Sequence, residues 1–307
     1  MKVTISIDKL AFSLPPNKGL EVFYPIKKIP NFKFANYVVK NGKVRKDALD
    51  PDDKRAIKYK NVIKFQHIET GNPLIIYNHR KGRFRRASPL YVIFYPRPFQ
   101  PITYPEVCEV VRFFWGQCGV KLRVSVVHLA VDLMVREKNN LYRKLTHALK
   151  PGGKSKPSDR YPFSIYFGEP PSSNQLFIYD KGRQLLKEKG IMVPGDMVRI
   201  ESRFHVPQMK SFPRTIDGLA VLDWSFLWPN YFSFHDLTTD FMLKVNFAEE
   251  SWRQPIWKLR NIAEEKFGMT SSNFYRSCLV DHPRLSDPVR QALAAFRWCA
   301  NFRQFQS

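Results

Sequence analysis

The chain has no pair of cysteines at a metal-binding interval. Cys108, Cys118, Cys278 and Cys299 form no CxxC, and no histidine stands at a zinc-ligand spacing from any of them, which argues against a structural zinc site. No apolar run approaches the ~18 residues of a membrane-spanning helix. The opening MKVTISIDKLAFSL lacks the apolar core and cleavage site of a secretory signal. LDWSFLWPNYFSF is interrupted by Pro229 and Asn230 and reads as buried or interfacial structure. These absences lead to the expectation of a soluble, cytoplasmic protein in a reducing compartment, with no membrane partner. No internal repeat is apparent.

Acidic residues are also scarce. Lys and Arg number 50 against 27 Asp and Glu, a formal charge of +23. With 44% hydrophobic and 14% aromatic residues the chain is not a disordered polycation. Its 307 residues suffice for one large domain or two modest ones. Self-repulsion of this size is relieved by an anionic partner, and nucleic acid leads the candidates. Residues 1–100 hold 21 basic and 7 acidic side chains (+14), 101–200 hold 16 and 9 (+7), and 201–307 hold 13 and 11 (+2). The polyanion is therefore expected on the first two thirds.

What is present is mostly strand pattern. Residues 2–14 alternate, with Val3, Ile5 and Ile7 on one face and Lys2, Thr4, Ser6 and Asp8 on the other. Asn41-Gly42 suits a hairpin turn, and ALDPDDKR a turn or helix start. VIKFQHI, PLIIYN and LYVIFYP read as strands. HRKGRFRR lies between the last two, a hairpin whose Arg80, Lys81, Arg83, Arg85 and Arg86 interleave with His79 and Phe84. The run could be a solvated loop that keeps the protein soluble, but five cations without an acid oppose their own hairpin unless phosphates meet them, and such a ribbon can enter a groove. Residues 104–119 predict a helix that covers the sheet and stops at Gly119. KPGGKSKPSDR reads as a basic loop. Beyond Pro207 the period turns helical, with helices expected at 237–245, 251–266 and 288–302.

Three strands carry chemistry on one face. KLRVSVVHLAVDLMV has Val127, Leu129, Val131, Leu133 and Val135 on its apolar side and His128, Ala130 and Asp132 opposite, a setting suited to a divalent ion. NQLFIYDKGRQLL places Phe177, Tyr179 and Lys181 together. VRIESRF sets Glu201 between Arg199 and Arg203. If these strands are neighbours, their polar faces combine into one site for transesterification. A tyrosine phenolate attacks a DNA phosphorus, leaving a 5′-phosphotyrosine and a free 3′-hydroxyl. A phenol of pKa near ~10 needs a cation to favour the phenolate. Carboxylates can hold Mg2+ or Mn2+, His128 suits Mn2+, and Lys181 or an arginine can contact phosphate.

The succession IDKLAFSL, HLAVDL, SIYFGEPPSSNQLFIYDKGRQLL and VRIESRF resembles the rolling-circle replication initiators and transposon relaxases of the Rep_trans type, over roughly residues 1–205. The specific part is the YDK strand followed some twenty residues later by R-I-E. The resemblance implies Tyr179 as nucleophile and Asp132 and Glu201 as ligands of the ion. It departs in the middle strand, where the family reads R-I-D-x-A-x-D and this chain has Val126, Val127 and His128 before Ala130 and Asp132. Tyr179 could otherwise be a sheet tyrosine on Phe177, Asp132 and Glu201 could pair with arginines across strands, and Tyr161 or Tyr166 could stack or act as nucleophile.

The expected architecture is α+β: an antiparallel-sheet nicking endonuclease domain over 1–206, followed by a helical C-terminal region over 207–307. The expected activity is metal-dependent, strand-specific nicking of origin DNA that starts rolling-circle replication or transfer of a mobile element. The expected DNA-binding residues are Arg80, Lys81, Arg83, Phe84, Arg85, Arg86, Arg199 and Arg203. DNA, double-stranded with an extruded or single-stranded nick site, is the expected partner, with a homodimer and a host helicase as further partners. The alternatives are a non-catalytic DNA-binding protein derived from such an initiator and a basic RNA-binding or structural protein.

Overall fold

The computed structural model describes residues 1–14, 33–34, 36–39, 59–79, 90–119, 121–152, 157–158, 163–168, 173–247 and 254–299. The Asn41-Gly42 turn, ALDPDDKR, residues 80–86 of the basic hairpin, Tyr161 and most of KPGGKSKPSDR lie outside them.

The strands in chain order are β1 (Lys2–Leu14), β2 (Lys33–Phe34), β3 (Tyr37–Val39), β4 (Tyr59–His67), β5 (Pro73–His79), β6 (Leu90–Phe94), β7 (Arg123–Val135), β8 (Leu149–Pro151), β9 (Pro157–Ser158), β10 (Ser164–Phe167), β11 (Asn174–Asp180), β12 (Asp196–His205), β13 (Phe232–Leu237) and β14 (Leu279–Asp281). Eleven of them form one sheet in the order β2-β3-β4-β5-β6-β1-β7-β12-β11-β10-β9, antiparallel throughout. The principal helices are α1 (Tyr104–Cys118), α2 (Leu141–Ala148), α3 (Lys181–Lys189), α4 (Thr239–Phe247), α5 (Ile256–Phe267), α6 (Ser271–Ser277) and α7 (Pro283–Ala295). The chain is α+β with a large antiparallel sheet, as its periodicities predict.

One face of the sheet carries the main core. Leu10, Phe12, Ile76, Phe94, Leu129, Leu133, Ile178 and Ile200 join Val107, Val110 and Phe114 of α1 and Val289 and Leu293 of α7 in a single apolar cluster. Helix α1 begins where its sequence says it should. Thr103 caps it and Glu106 completes a capping box, while the same Glu106 accepts from Tyr37 Oη at 2.7 Å and Asn72 Nδ2 at 3.2 Å, tying the helix to the sheet edge.

Residues after 206 contribute to that same core. Phe204 is ringed by Phe212, Trp224, Phe226 and Tyr231 at 5.1–6.3 Å, and the Trp298 indole donates to the Ile102 carbonyl at 2.9 Å. A smaller cluster, built on Phe241, Val245, Leu259, Ala263 and Phe274, holds α4, α5 and α6 together. The C-terminal region is mainly helical but also supplies β13 and β14, which form a three-stranded sheet with β8. The expected helix starts need correcting. The stretch at 237 begins as strand and turns helical at Thr239, the next helix starts at Ile256, and the last starts at Pro283 with Pro288 inside it. A proline in the first turn needs no N–H, so Pro283 suits the start better than Pro288.

Candidate functional site

The opposite face of the sheet is where the polar residues gather, and strand register is what assembles them. β7 lies between β1 and β12, and β12 between β7 and β11. Arg199 stands opposite Asp132 on one side and Tyr179 on the other, and Ser164 is opposite Tyr179. One step along, Glu201 stands between Ala130 and Phe177, and Phe177 faces Tyr166. Arg203 and Lys9 flank His128 from either side. Three strands far apart in the sequence thus place His128, Asp132, Tyr179, Arg199, Glu201 and Arg203 on one surface.

Sequence periodicity does not reveal the first residue of this site. β1 pairs with β7 as Ile7↔Leu129 and then Lys9↔His128, so Asp8 is the extra residue of a β-bulge. The bulge reverses the alternation: Ile5 and Ile7 point to the core before it, Leu10 and Phe12 after it. Asp8 is thereby released to accept a hydrogen bond from Arg199 Nη1. Lys9 is buried with its ammonium 5.4 Å from the Tyr95 ring. The signal is present in I-D-K-L, where a lysine falls on the apolar phase and the next apolar residue comes one position late.

Arg199 is the most heavily engaged group. Its Nε and Nη2 donate to the two oxygens of Asp132 at 2.6 and 2.7 Å, and Nη1 donates to Asp8. Burial works against its charge, but the carboxylates of Asp8 and Asp132 keep it firmly protonated. Glu201 accepts from Arg203 Nε at 2.7 Å and lies 2.8 Å from His128 Nδ1. Burial alone would raise the Glu201 carboxyl; Arg203 and His128 outweigh it and hold that carboxyl well below the usual range. Burial lowers His128, against the pull of Glu201.

Tyr179 is 7% exposed and stacked on Phe177 at 4.5 Å, with Phe177 stacked in turn on Tyr166 at 3.9 Å. Burial pushes its phenol well above the ordinary value, Arg199 opposes that rise, and Glu201, Asp8 and Asp132 add to it. Lys181 reaches the tyrosine by a different route from the expected one. The strand ends at Asp180, which caps α3 by accepting from Arg183 N at 2.8 Å, and Lys181 opens the helix with its ammonium 5.5 Å from the Tyr179 ring centroid. Burial lowers Lys181, and Arg199 lowers it further.

Asp132, Glu201 and His128 do not fit a divalent ion as one ligand set. Among the described residues no group of three or more His, Cys, Asp or Glu side chains is placed to hold a metal. Both oxygens of Asp132 are taken by Arg199, and Glu201 is held by Arg203 and His128. A hard cation needs several oxygen ligands converging on one point, and here the guanidinium groups hold those oxygens. Arg80, Lys81, Arg83, Phe84, Arg85 and Arg86 lie outside the described residues, whereas Arg199 and Arg203 sit in the ion pairs above.

Among solved structures, the chain is similar to the rolling circle replication initiator protein from Geobacillus stearothermophilus, at 16% identity and a TM-score of 0.41, over 77% of this chain and 88% of that one. No protein-family description matches the chain, and neither does any curated protein. Among the described residues, no helix is long and apolar enough to cross a membrane.

Proposed function

We propose that this protein is a replication initiator that binds origin DNA in the cytoplasm and nicks one strand through Tyr179, starting rolling-circle replication or transfer of a mobile element. The observation that carries the reading is the register that sets Tyr179 beside Arg199, with Asp132, Asp8 and Lys181 around them. A tyrosine next to a fixed guanidinium on a sheet face is the minimum apparatus for phosphoryl transfer to a phenol. The succession of motifs in the sequence supports the same chemistry.

In the step proposed, the Tyr179 oxygen bonds to phosphorus as the bond from phosphorus to the 3′-oxygen breaks. The phenolic proton passes to water. The 3′-oxygen leaves with the bonding pair and takes a proton from Lys181, whose lowered affinity for it suits a donor. The product is a 5′-phosphotyrosine and a 3′-hydroxyl, and the phosphoester bond is kept for rejoining. Arg199 is the group that favours the phenolate. The basic run from Arg80 to Arg86 joins β5 to β6 and would hold duplex phosphates. A second copy of the chain and a host helicase complete the assembly.

The test is incubation with supercoiled DNA of the protein's own replicon. An open circle and a detergent-resistant protein-DNA adduct are expected from the wild type, and neither from Tyr179→Phe, which still binds DNA. An active Tyr179→Phe would sink the assignment. The second reading, a DNA-binding protein that cuts nothing, is favoured by the burial of Tyr179 and the raised pKa of its phenol. It predicts binding with no adduct from the wild type.

A further inference from the structure

We propose that Arg199 is the resident cation of this site and that nicking by Tyr179 proceeds without a divalent metal ion. The inference rests on the nickase reading above. It starts from what an ion supplies to phosphoryl transfer: positive charge, gripped by carboxylates, beside the attacking oxygen and the phosphorus. Arg199 meets the first two through its own bonds and the third by its strand position. Three of its nitrogens are fixed by Asp132 and Asp8, two carboxylates on two different strands, in the manner of a chelated cation. Its strand position is opposite Tyr179. Guanidinium cannot be deprotonated in a protein, so the charge persists at any working pH.

Among the described residues, the surrounding charges leave no place for a second cation. The three carboxylates Asp8, Asp132 and Glu201 are already met by Arg199 and Arg203, and Lys181 stands over the Tyr179 ring. Among the described residues, Asp8, Asp132 and Glu201 face Arg199, Arg203, Lys181 and the buried Lys9, so a divalent ion would add a charge of +2 to a site already in positive excess. Uncompensated charge is strongly disfavoured in surroundings this buried. The departure at His128 agrees with this. Where the resemblance calls for an acid, this chain has an imidazole bonded to Glu201, and Lys9 and Arg203 flank it on the neighbouring strands. The Nδ1 of that imidazole is already engaged by Glu201 at 2.8 Å.

The experiment uses the full chain and a short single-stranded oligonucleotide containing the nick sequence. The covalent adduct is timed in EDTA and in Mg2+ or Mn2+, and Mn2+ is titrated onto the protein by calorimetry. The expected adduct rate in EDTA is within about threefold of that with metal, with no stoichiometric uptake of Mn2+. Arg199→Lys keeps the charge and loses the fork, and is expected to slow adduct formation by about 100-fold in either buffer, the usual effect of removing one preorganised donor. The wild-type comparison needs no variant to fold. An adduct that forms only with metal overturns the inference and leaves the nickase reading standing, as does an Arg199→Lys protein as fast as wild type. No adduct under any condition removes the nickase reading and the inference with it.

Discussion

The Arg199–Asp132 pair makes a quantitative prediction that depends on folding alone. Asp132→Asn removes one charge from a buried fork in which both carboxylate oxygens are used at 2.6 and 2.7 Å, with side chains 9% and 11% exposed. Breaking such a pair from one side leaves a buried charge short of its partner, which typically costs about 3–5 kcal/mol. Asp8 still holds Arg199, so the lower end, about 3 kcal/mol, is expected for Asp132→Asn. Arg199→Met strands two carboxylates at once and should cost about 4 kcal/mol. Combining Arg199→Met with Asp132→Asn removes both charges of the pair together. The double variant should therefore lose only about 4–5 kcal/mol, a coupling of about 2–3 kcal/mol. Urea unfolding at neutral pH measures all three through the shift in midpoint at unchanged slope. Additive losses in the double variant, or an Asp132→Asn protein within about 1 kcal/mol of wild type, would refute the claim that this pair is buried and mutually dependent.

His128 sets an acid-side dependence. Burial lowers its folded-state pKa, so below about pH 6.5 the unfolded chain binds the extra proton first and stability falls as pH falls. His128→Gln should reduce that slope by up to about 1.4 kcal/mol per pH unit, measured as unfolding free energy at pH 7.5 and 5.5; an unchanged slope counts against it. Gly195 sits at φ +80°, and a Cβ there would collide with the Val135 carbonyl oxygen. Gly195→Ala should cost more than about 2 kcal/mol and disturb Asp196, which accepts from the Asn139 and Leu141 amides at 2.9 and 3.0 Å; a stable variant would contradict the close approach. Deleting residues 283–307 strips α7 from the main core, so lost near-ultraviolet dichroism is expected, and a native spectrum would show α7 to be dispensable. Replacing Arg83, Arg85 and Arg86 by Ala should lower the salt dependence of DNA binding by about 3 in log-log slope; an unaltered slope would remove the hairpin from the phosphate contacts.

Much of the sheet was legible because its strands alternate or are rich in β-branched and aromatic residues. β7 announces itself by apolar residues at every odd position from Val127 to Val135, and β11 and β12 by a looser alternation, so the polar face of each strand could be read, while their union waited on the strands being neighbours. What alternation cannot supply is pairing across strands. Asp132 and Glu201 look like ion ligands in sequence; register puts Arg199 on one, and Arg203 reaches the other. Asp8 was hidden by a bulge, which shifts phase without changing composition. In the last hundred residues β13 and β14 escaped notice because each is short and draws its partner from elsewhere, Phe232 of β13 pairing with Pro151 of β8. Strand character there comes from the partner more than from the segment's own residues.

The indole of Trp298 bonded to the carbonyl of Ile102 has a consequence for synthesis. These two groups are 196 positions apart. At roughly 5–20 residues per second a ribosome needs about 10–40 s to make the intervening chain. In the later part of that interval, once β12 and Trp224 have been made, the sheet stands without its final helix and the rings around Trp224 lack Phe296. The nascent protein is strongly cationic throughout, since most of its positive charge is made first. Mutual repulsion between neighbouring nascent chains would keep those uncovered rings apart, so the charge proposed to meet DNA in the finished protein also guards it from aggregation while it is incomplete.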